Sequence, residues 1–443
     1  MRVLVLVDGE HYPPVTRWGI EAARSRGYEV AAALFLGGTE KVDPRALPDL
    51  GLPTLPAGAD MTAALVDALE GVRPEAVLDL SDEPVVGYRE RMELAAVSLV
   101  RGIPYLGPDF RLDPPISGPP LQRPTVAVIG TGKRTGKTAI GGEVARVAEA
   151  VGRNPVVVAM GRGGPPEPQV ARAGTVTLDG LLDLVRRGEH AASDYLEDAV
   201  TSGVTTIGAR RAGGGLAGAP FASNVRDAAE LAVGLGAGLV VLEGSGSAVP
   251  PIPWDAGILA VPASAPPEYL GGYLGPYRLL LSDLVVLTMT GSPITGPENL
   301  LALTSHVQRI RGDARVVVTD LQPVPLGDVR GKEAFFTTTA PQAVAARQVA
   351  SLETGFGCKV VGWSARLADR SGLMEDLEKA EAYEVLLTEL KAAAVDVACE
   401  RAMARGATVV FVDNRPVAVD GGTNIPNLLA ETIDLAVKRH EAR

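Results

Sequence analysis

The segment TVAVIGTGKRTGKTA, residues 125–139, constrains the fold more than any other stretch of this chain. An apolar run leads into a glycine loop, and the loop closes on Gly-Lys-Thr at 136–138, the ending of a phosphate-binding P-loop. The usual spacing, G-x-x-x-x-G-K-[ST], needs glycine at 131. Here Thr131 stands between Gly130 and Gly132. Such a loop works only where a strand feeds it and a helix leaves it, because backbone N–H groups and a helix N-terminus must converge on the phosphates. The sequence meets both conditions. TVAVIG has the character of a buried strand, and Ile140, Val144, Val147, Ala148 and Val151 recur on one helical face. The expectation is a nucleotide site of altered spacing rather than a basic glycine turn. Gly130, Thr131, Gly132, Thr135, Gly136, Lys137, Thr138 and Ala139 would form it. Lys137 would reach the β- and γ-phosphates, the Thr138 hydroxyl would ligate magnesium, and Lys133 and Arg134 would add positive charge.

The rest of the chain repeats the same alternation. RVLVLVD, EVAAALFLG and EAVLDLSDE are strand-like, with VTRWGIEAARSRGY and YRERMELAAVSLVRG helical between and after them. Strands alternating with helices predict a parallel sheet. The proline-rich stretch 107–124 predicts a linker and a boundary near 120. Beyond it lie NPVVVAMGRGG, GLVVLEG, GILAVPA, SDLVVLTM, ARVVVTD and EAFFTTTA as strands, then CKVVGWS, a helix around 384–405, and ATVVFVDN. The fold expected is α/β. A Rossmann-like parallel-sheet domain (1–120) precedes a doubly wound P-loop NTPase-type domain (121–345). A C-terminal α/β extension (346–443) is either a third domain or the far edge of the same sheet.

Composition excludes several classes. With 42 Lys+Arg against 53 Asp+Glu, the formal charge of −11 disfavours general nucleic-acid or membrane-surface binding. The two cysteines, Cys358 and Cys399, make no C-x-x-C, and four histidines give no zinc pattern. No apolar run reaches spanning length and no signal peptide is visible, so a cytoplasmic protein is expected.

Further segments carry candidate chemistry. LVVLEGSGS, 239–247, ends a strand in Glu243, and P-loop enzymes use such a carboxylate to hold magnesium. MGRGGPPEP (160–168) and IGARRAGGGLAG (207–218) are basic glycine loops in this reading. Arg162, Arg210, Arg211, Gly213 and Gly214 could hold a polyanion there, or the loops could be ordinary surface turns. DGEHYPP, 8–14, follows the first strand, where open α/β sheets bind ligands, and makes His11 a candidate acid/base or substrate contact, or a structural turn residue.

The shifted glycine resembles the loop of dethiobiotin synthetase, whose first glycine also stands six residues before G-K-T. The chain as a whole resembles the cyclic 2,3-diphosphoglycerate synthetase family. The resemblance is carried by DGEHYPP, SDEPVVGYRERMELA, VIGTGKRTGKTA, AMGRGGPPEP, IGARRAGGGLAG, VLEGSGSAVPP, VPLGDVRGKEAFFTTTAP and TELKAAAVDVA, from residue 8 to about 400. It implies an ATP- and magnesium-dependent enzyme, likened to a homodimer. Such an enzyme joins the two phosphates of 2,3-diphosphoglycerate into a cyclic anhydride and releases ADP and phosphate. Lys133, Arg134, Lys137 and Glu243 would then be catalytic, and Thr138 and Glu243 would hold the metal. His11, Arg162, Arg210, Arg211, Gly213 and Gly214 would bind substrate. The competing readings are another P-loop kinase or ligase, such as a 2-phosphoglycerate kinase, and a switch GTPase. The absence of an N-K-x-D guanine motif weighs against the last.

Overall fold

The computed structural model describes residues 1–43, 46–291 and 295–443, and the fold is α/β with two sheets. The first sheet comprises β1 (Arg2–Val7), β2 (Glu29–Phe35), β3 (Thr54–Pro56), β4 (Ala76–Asp79), β5 (Tyr105–Leu106) and β6 (Arg111–Leu112), in the order β3-β2-β1-β4-β5-β6. Its pairings are parallel except β5 with β6. The proline-rich stretch is thus not all linker, since Arg111–Leu112 forms the sheet's edge.

The second sheet is built on β7 (Thr125–Gly130), β8 (Pro155–Gly161), β9 (Gln169–Ala171), β10 (Thr206–Ala212), β11 (Ala222–Ser223), β12 (Leu239–Glu243), β13 (Ala256–Pro262), β14 (Leu284–Thr288) and β15 (Arg315–Pro325). It continues into β16 (Glu333–Thr337), β17 (Lys359–Ser364), β18 (Val385–Thr388) and β19 (Thr408–Ala418). The order is β11-β10-β8-β12-β7-β13-β14-β15-β19-β18-β16-β17, with β9 alongside β10. From β10 through β15 the pairs are parallel. β15 then turns antiparallel onto β19 over Thr319–Pro325, and β19 pairs parallel with β18. One long strand pair therefore carries hydrogen bonding from the P-loop sheet into the C-terminal lobe without a break.

Alternation across the pleat explains why these strands are apolar throughout. Val126 and Val128 face the layer of Ile140, Val144 and Ala148, while Ala127 and Ile129 face Val225, Ala228 and Ala229. A sheet covered on both faces has no solvent side to mark with polar residues. Of the helical stripe read from sequence, Ile140, Val144, Val147 and Ala148 are buried, and Val151, at the helix end, is exposed. The C-terminal helix Ile425–Glu441 returns to this layer, burying Ile425, Leu429 and Ile433 beside the P-loop helix Lys137–Ala150. Arg146 bonds the Thr201 carbonyl (3.0 Å) and pairs with Asp413 (3.0 Å), fixing that helix to β19.

The helix expected around 384–405 is corrected. Val385–Thr388 is a strand, and helical turns occupy Ala394–Cys399 and Glu400–Ala404. The run VLLT is fully buried between neighbouring strands, and that placement overrides its tolerance for helix.

The first domain does not stand apart. Ala217, Leu274 and Tyr277 of the P-loop region lie in one buried cluster with Leu94, Ala95 and Tyr105 of the first domain. Fully burying a side chain such as Leu274 contributes about 1.5–3 kcal/mol, so this junction is part of the core. Arg278 is 4 % exposed and spends its donors on carbonyls of Ser247, Leu274 and Leu216, tying two glycine loops to the junction.

Candidate functional site

Parallel pairing brings the C-terminal ends of β10, β8, β12, β7, β13, β14 and β15 to one edge. Glu243 of β12 lies in register with Val128 of β7 and Ala159 of β8, and Arg210 of β10 lies opposite Gly161. Ligands of open α/β sheets bind at such an edge.

The P-loop spans β7 and its helix. Gly136 takes φ +87° at the helix start, a conformation glycine adopts freely. A Cβ at Gly130 would collide with the Thr135 hydroxyl and crowd Lys137, so the displaced first glycine has a steric reason. Thr288, at the end of β14, donates to the Thr135 carbonyl (2.9 Å) and holds the loop from the far side. Lys137 folds back into the loop, donating to the Gly132 carbonyl (2.8 Å) and the Thr135 hydroxyl (3.2 Å). It is buried, and burial lowers its pKa to about 8, with Arg162 and Arg211 pushing the same way and Glu243 and Asp194 opposing. Lys133 and Arg134 are exposed at the loop's tip, and Thr138 is half-buried in the first helical turn.

Glu243 is 4 % exposed. It presses on the P-loop helix where a side chain at Gly141 would occupy its carboxyl oxygen, so that glycine is required. Neither its Oε1 nor the two oxygens of the fully buried Asp198 meet an N–H or hydroxyl donor. Burial raises the Glu243 pKa to about 8, helped by Asp194 and Glu197, while Lys137 and a hydrogen bond with Asp198 oppose. Two carboxylates accept only, so that bond exists when one of them carries the proton. Burial also holds Asp198 well above the carboxylate range. Among the described residues no group of three or more His, Cys, Asp or Glu stands in metal-holding arrangement. An orphaned carboxylate such as Glu243, with a P-loop hydroxyl such as that of Thr138, is the sparse donor set that suits a magnesium ion held jointly with phosphates and water.

The basic residues divide. Arg210 and Arg211 sit on β10, not in a loop as the sequence suggested, because β10 continues along β8 through Arg210 and along β11 through Ala212. Successive strand residues point to opposite faces. Arg210 is exposed and reaches the Gly164 carbonyl (3.2 Å), whereas Arg211 donates to the Ser245 carbonyl (2.8 Å) in the turn after Glu243. The buried Nε of Arg211 has no partner. Burial and then Arg162 lower its pKa. Among the described residues, none of Lys137, Arg162 and Arg211 has a carboxylate within 4.0 Å. These three cations repel one another, and none has a carboxylate in direct contact, an arrangement suited to an anion. Gly213 (φ +70°) and Gly214 flank Arg211, and a Cβ at Gly214 would lie 3.4 Å from its Nη1.

His11 belongs to the first domain's own turn. Its Nδ1 lies 2.9 Å from Asp8 Oδ1, and the buried Asp8 also accepts from the N–H groups of Glu10, His11 and Asp82. Asp8 anchors the turn, and His11 is held by it rather than by the P-loop edge.

Sequence reasoning missed the helix Asp194–Ser202, which brings Asp194, Glu197 and Asp198 to the site. The signal was present as acids at i, i+3 and i+4 in SDYLEDAV, which share one helical face. It also missed Lys391, which reaches Glu197 at 3.0 Å from the C-terminal lobe.

Comparison with known proteins follows the same outline. Family models of the cyclic 2,3-diphosphoglycerate synthetase match in three consecutive pieces: its N-terminal domain over residues 2–113, its P-loop domain over 125–320 and its C-terminal domain over 325–415. A cyclic 2,3-diphosphoglycerate synthetase of Rubrobacter xylanophilus is 50 % identical over 421 residues, covering 94 % of this chain and 95 % of the relative. One from Methanothermus fervidus is 40 % identical over 449 residues, covering 98 % and 97 %. One from Thermococcus kodakarensis is 43 % identical over 426 residues, covering 95 % and 96 %.

Proposed function

The chain belongs to the cyclic 2,3-diphosphoglycerate synthetase family, and we propose that it closes 2,3-diphosphoglycerate into its cyclic anhydride at the expense of ATP, releasing ADP and phosphate. The observation that carries the chemistry is the meeting of Lys137, Arg162 and Arg211, none of them paired directly with a carboxylate, at the mouth of a P-loop. Two adjacent substrate phosphates and a triphosphate bring a large negative charge together. Fixed cations are what such an encounter needs before reaction can begin.

A phosphate monoester dianion is a poor electrophile with a poor leaving group. Transfer of the ATP γ-phosphoryl to an oxygen of one substrate phosphate breaks the β–γ bond and leaves ADP. The phosphorus so activated now carries phosphate as its leaving group. An oxygen of the neighbouring phosphate attacks that phosphorus, the ring anhydride forms and inorganic phosphate departs. Holding the two phosphates side by side makes the second step intramolecular, an advantage of up to about 7–11 kcal/mol in well-oriented systems. In this reading Lys137 receives the β/γ oxygens, with Lys133 and Arg134 at the loop tip. The backbone of Gly130–Ala139 wraps the triphosphate. Arg211, aided by Arg162, Gly213 and Gly214, grips the substrate. Arg210 and His11 are the outer members of the substrate set. Thr138 and Glu243 would hold magnesium, which supplies charge neutralisation at the transferring phosphoryl group when bound.

No helix among the described residues is long and apolar enough to cross a membrane. A homodimer working in the cytoplasm is the rest of the proposal, and it rests on the family resemblance. Light scattering of the purified protein checks the assembly. The function itself is tested by 31P NMR of a reaction containing ATP, magnesium and 2,3-diphosphoglycerate. Cyclic anhydride and free phosphate should appear together. ADP with a singly phosphorylated acceptor and no free phosphate would make the protein a kinase instead.

A further inference from the structure

Behind the nucleotide edge the C-terminal lobe reaches into the P-loop domain at one place. After β18 the chain buries Glu389 and Leu390, extends Lys391, turns through Ala392 at φ +49° and enters a π-helical turn, Ala394–Cys399. Left-handed backbone at an alanine and a π-turn are each unfavourable, and both cluster at functional positions. Leu390 and Val395 pack in the cluster that holds Tyr195, Leu196 and Ala199 of the acidic helix Asp194–Ser202. Lys391 pairs with Glu197 on the same helix at 3.0 Å. Glu389, 3 % exposed, is fixed by Thr338 (3.1 Å), by the N–H and hydroxyl of Thr339 (2.9 and 2.8 Å) and by Asn414 (2.8 Å). Glu197 and Glu389 both draw on the half-buried Lys391 and favour its protonated form.

The same N-terminal part of that helix also meets the nucleotide edge. Asp194, in its first turn, stands beside Gly161, where a Cβ would lie 3.3 Å from its carboxylate, and it acts electrostatically on both Lys137 and Glu243. Asp198, one turn on, is the partner of Glu243. A small shift of this helix would move two carboxylates at once against the P-loop lysine and the carboxylate at the end of β12.

We propose that Lys391 is a positioning residue for phosphoryl transfer: its ion pair with Glu197 locks the acidic helix so that Asp194 faces the P-loop, which makes the C-terminal lobe part of the catalytic unit. The proposal rests on the nucleotide site described above. A residue that acts through Glu197 should lower turnover when lost and leave nucleotide affinity in place.

The test compares wild type with Lys391→Met, Lys391→Arg and Glu197→Gln, using kcat and KM for ATP at a temperature where circular dichroism shows each folded. Lys391→Met should lower kcat at least tenfold with the ATP KM within threefold of wild type. Lys391→Arg, which keeps the cation, should stay within threefold in kcat. Glu197→Gln breaks the same pair from the other side, keeps the side-chain shape and should repeat the kcat loss, so the proposal stays testable if Lys391→Met does not fold. Wild-type kcat in folded Lys391→Met or Glu197→Gln overturns it, whatever the melting temperature does, because that outcome describes a strut. Equal losses in Lys391→Met and Lys391→Arg overturn it too, because the ion pair would then not be the reason. Lys137→Ala runs alongside as a control. Full activity in that variant would remove the nucleotide-site reading, independently of Lys391.

Discussion

The P-loop and the acidic helix Asp194–Ser202 face one another at the same sheet edge and are built in opposite ways. The P-loop offers glycine backbone and cations without carboxylate partners. The acidic helix offers buried carboxyls, two of whose residues, Glu197 and Asp198, are 7 % and 0 % exposed. Either alone would be a costly arrangement, because burying unpaired charge is expensive. Burial raises the carboxyl pKa values and lowers that of the lysine, and attraction between the two sides offsets only part of this, so the edge carries less charge than its residues would in water. The difference teaches that the cation side, free of direct carboxylate partners, suits anions, while burial favours the protonated form of Glu243 and Asp198 on the acid side.

Lys137→Ala breaks the comparison most severely. It should cost turnover at least about a thousandfold, since a phosphoryl transfer without its P-loop lysine loses its main neutralising charge. Steady-state assay of the folded variant decides, and near wild-type activity would remove Lys137 from the site. Glu243→Gln should cost about a hundredfold or more in kcat. In the same variant the melting temperature should rise or hold at pH 8, because a carboxyl that resists ionisation has been removed. A fall in melting temperature with activity intact would make Glu243 structural.

Substituting the two arginines separately sharpens the contrast within the basic side. Arg211→Ala should weaken 2,3-diphosphoglycerate binding about ten- to a hundredfold, the worth of one charge-assisted contact of about 1.5–3 kcal/mol. Arg210→Ala, exposed and bonded to Gly164, should change it less than threefold. Calorimetric titration with the substrate and, separately, with an ATP analogue distinguishes them. Equal effects would contradict the split between strand faces.

The pH dependence probes both sides together. Lys137 must be protonated to receive phosphate and loses its proton near pH 8, whereas Glu243 must be ionised to take a cation and gains its charge near pH 8. The value of kcat/KM for ATP should therefore peak near pH 8 and fall on both sides. A flat profile from pH 6 to 9 would contradict it. Stability carries a smaller signature. Folded pKa values of about 7 for Glu197 and about 8 for Glu243 lie above the ordinary glutamate value of 4.5, so the native state binds more protons between those limits. These groups favour the fold at low pH, and their contribution is lost as pH rises from about 4.5 to about 8. Thermal scans across that range should show the decline, and Glu243→Gln should flatten it.

How much was legible follows from the same contrast. The P-loop could be read because its function lies in local sequence, a glycine spacing between one strand and one helix. Glu243 could be read because it ends an apolar strand. Arg211 was found and misplaced, since a strand running on into glycines looks like a loop until its neighbours are known. Asp194, Glu197, Asp198 and Lys391 could not be assembled, because nearly two hundred residues separate the helix from the lysine that pairs with it and only the continuous sheet brings them together. The strand VLLT was hidden for the same reason, its burial being set by partners far along the chain.

The central claim is that ATP activates one substrate phosphate and the neighbouring phosphate then displaces the group just added. It is tested most directly by following oxygen. With 2,3-diphosphoglycerate carrying 18O at the non-bridging positions of both phosphates, the account predicts that each released inorganic phosphate takes one 18O from the substrate. The isotope shift in its 31P resonance would show this. Released phosphate containing only solvent or ATP oxygen, with cyclic product still forming, would contradict it, because ring closure would then not pass through a phosphorylated substrate phosphate.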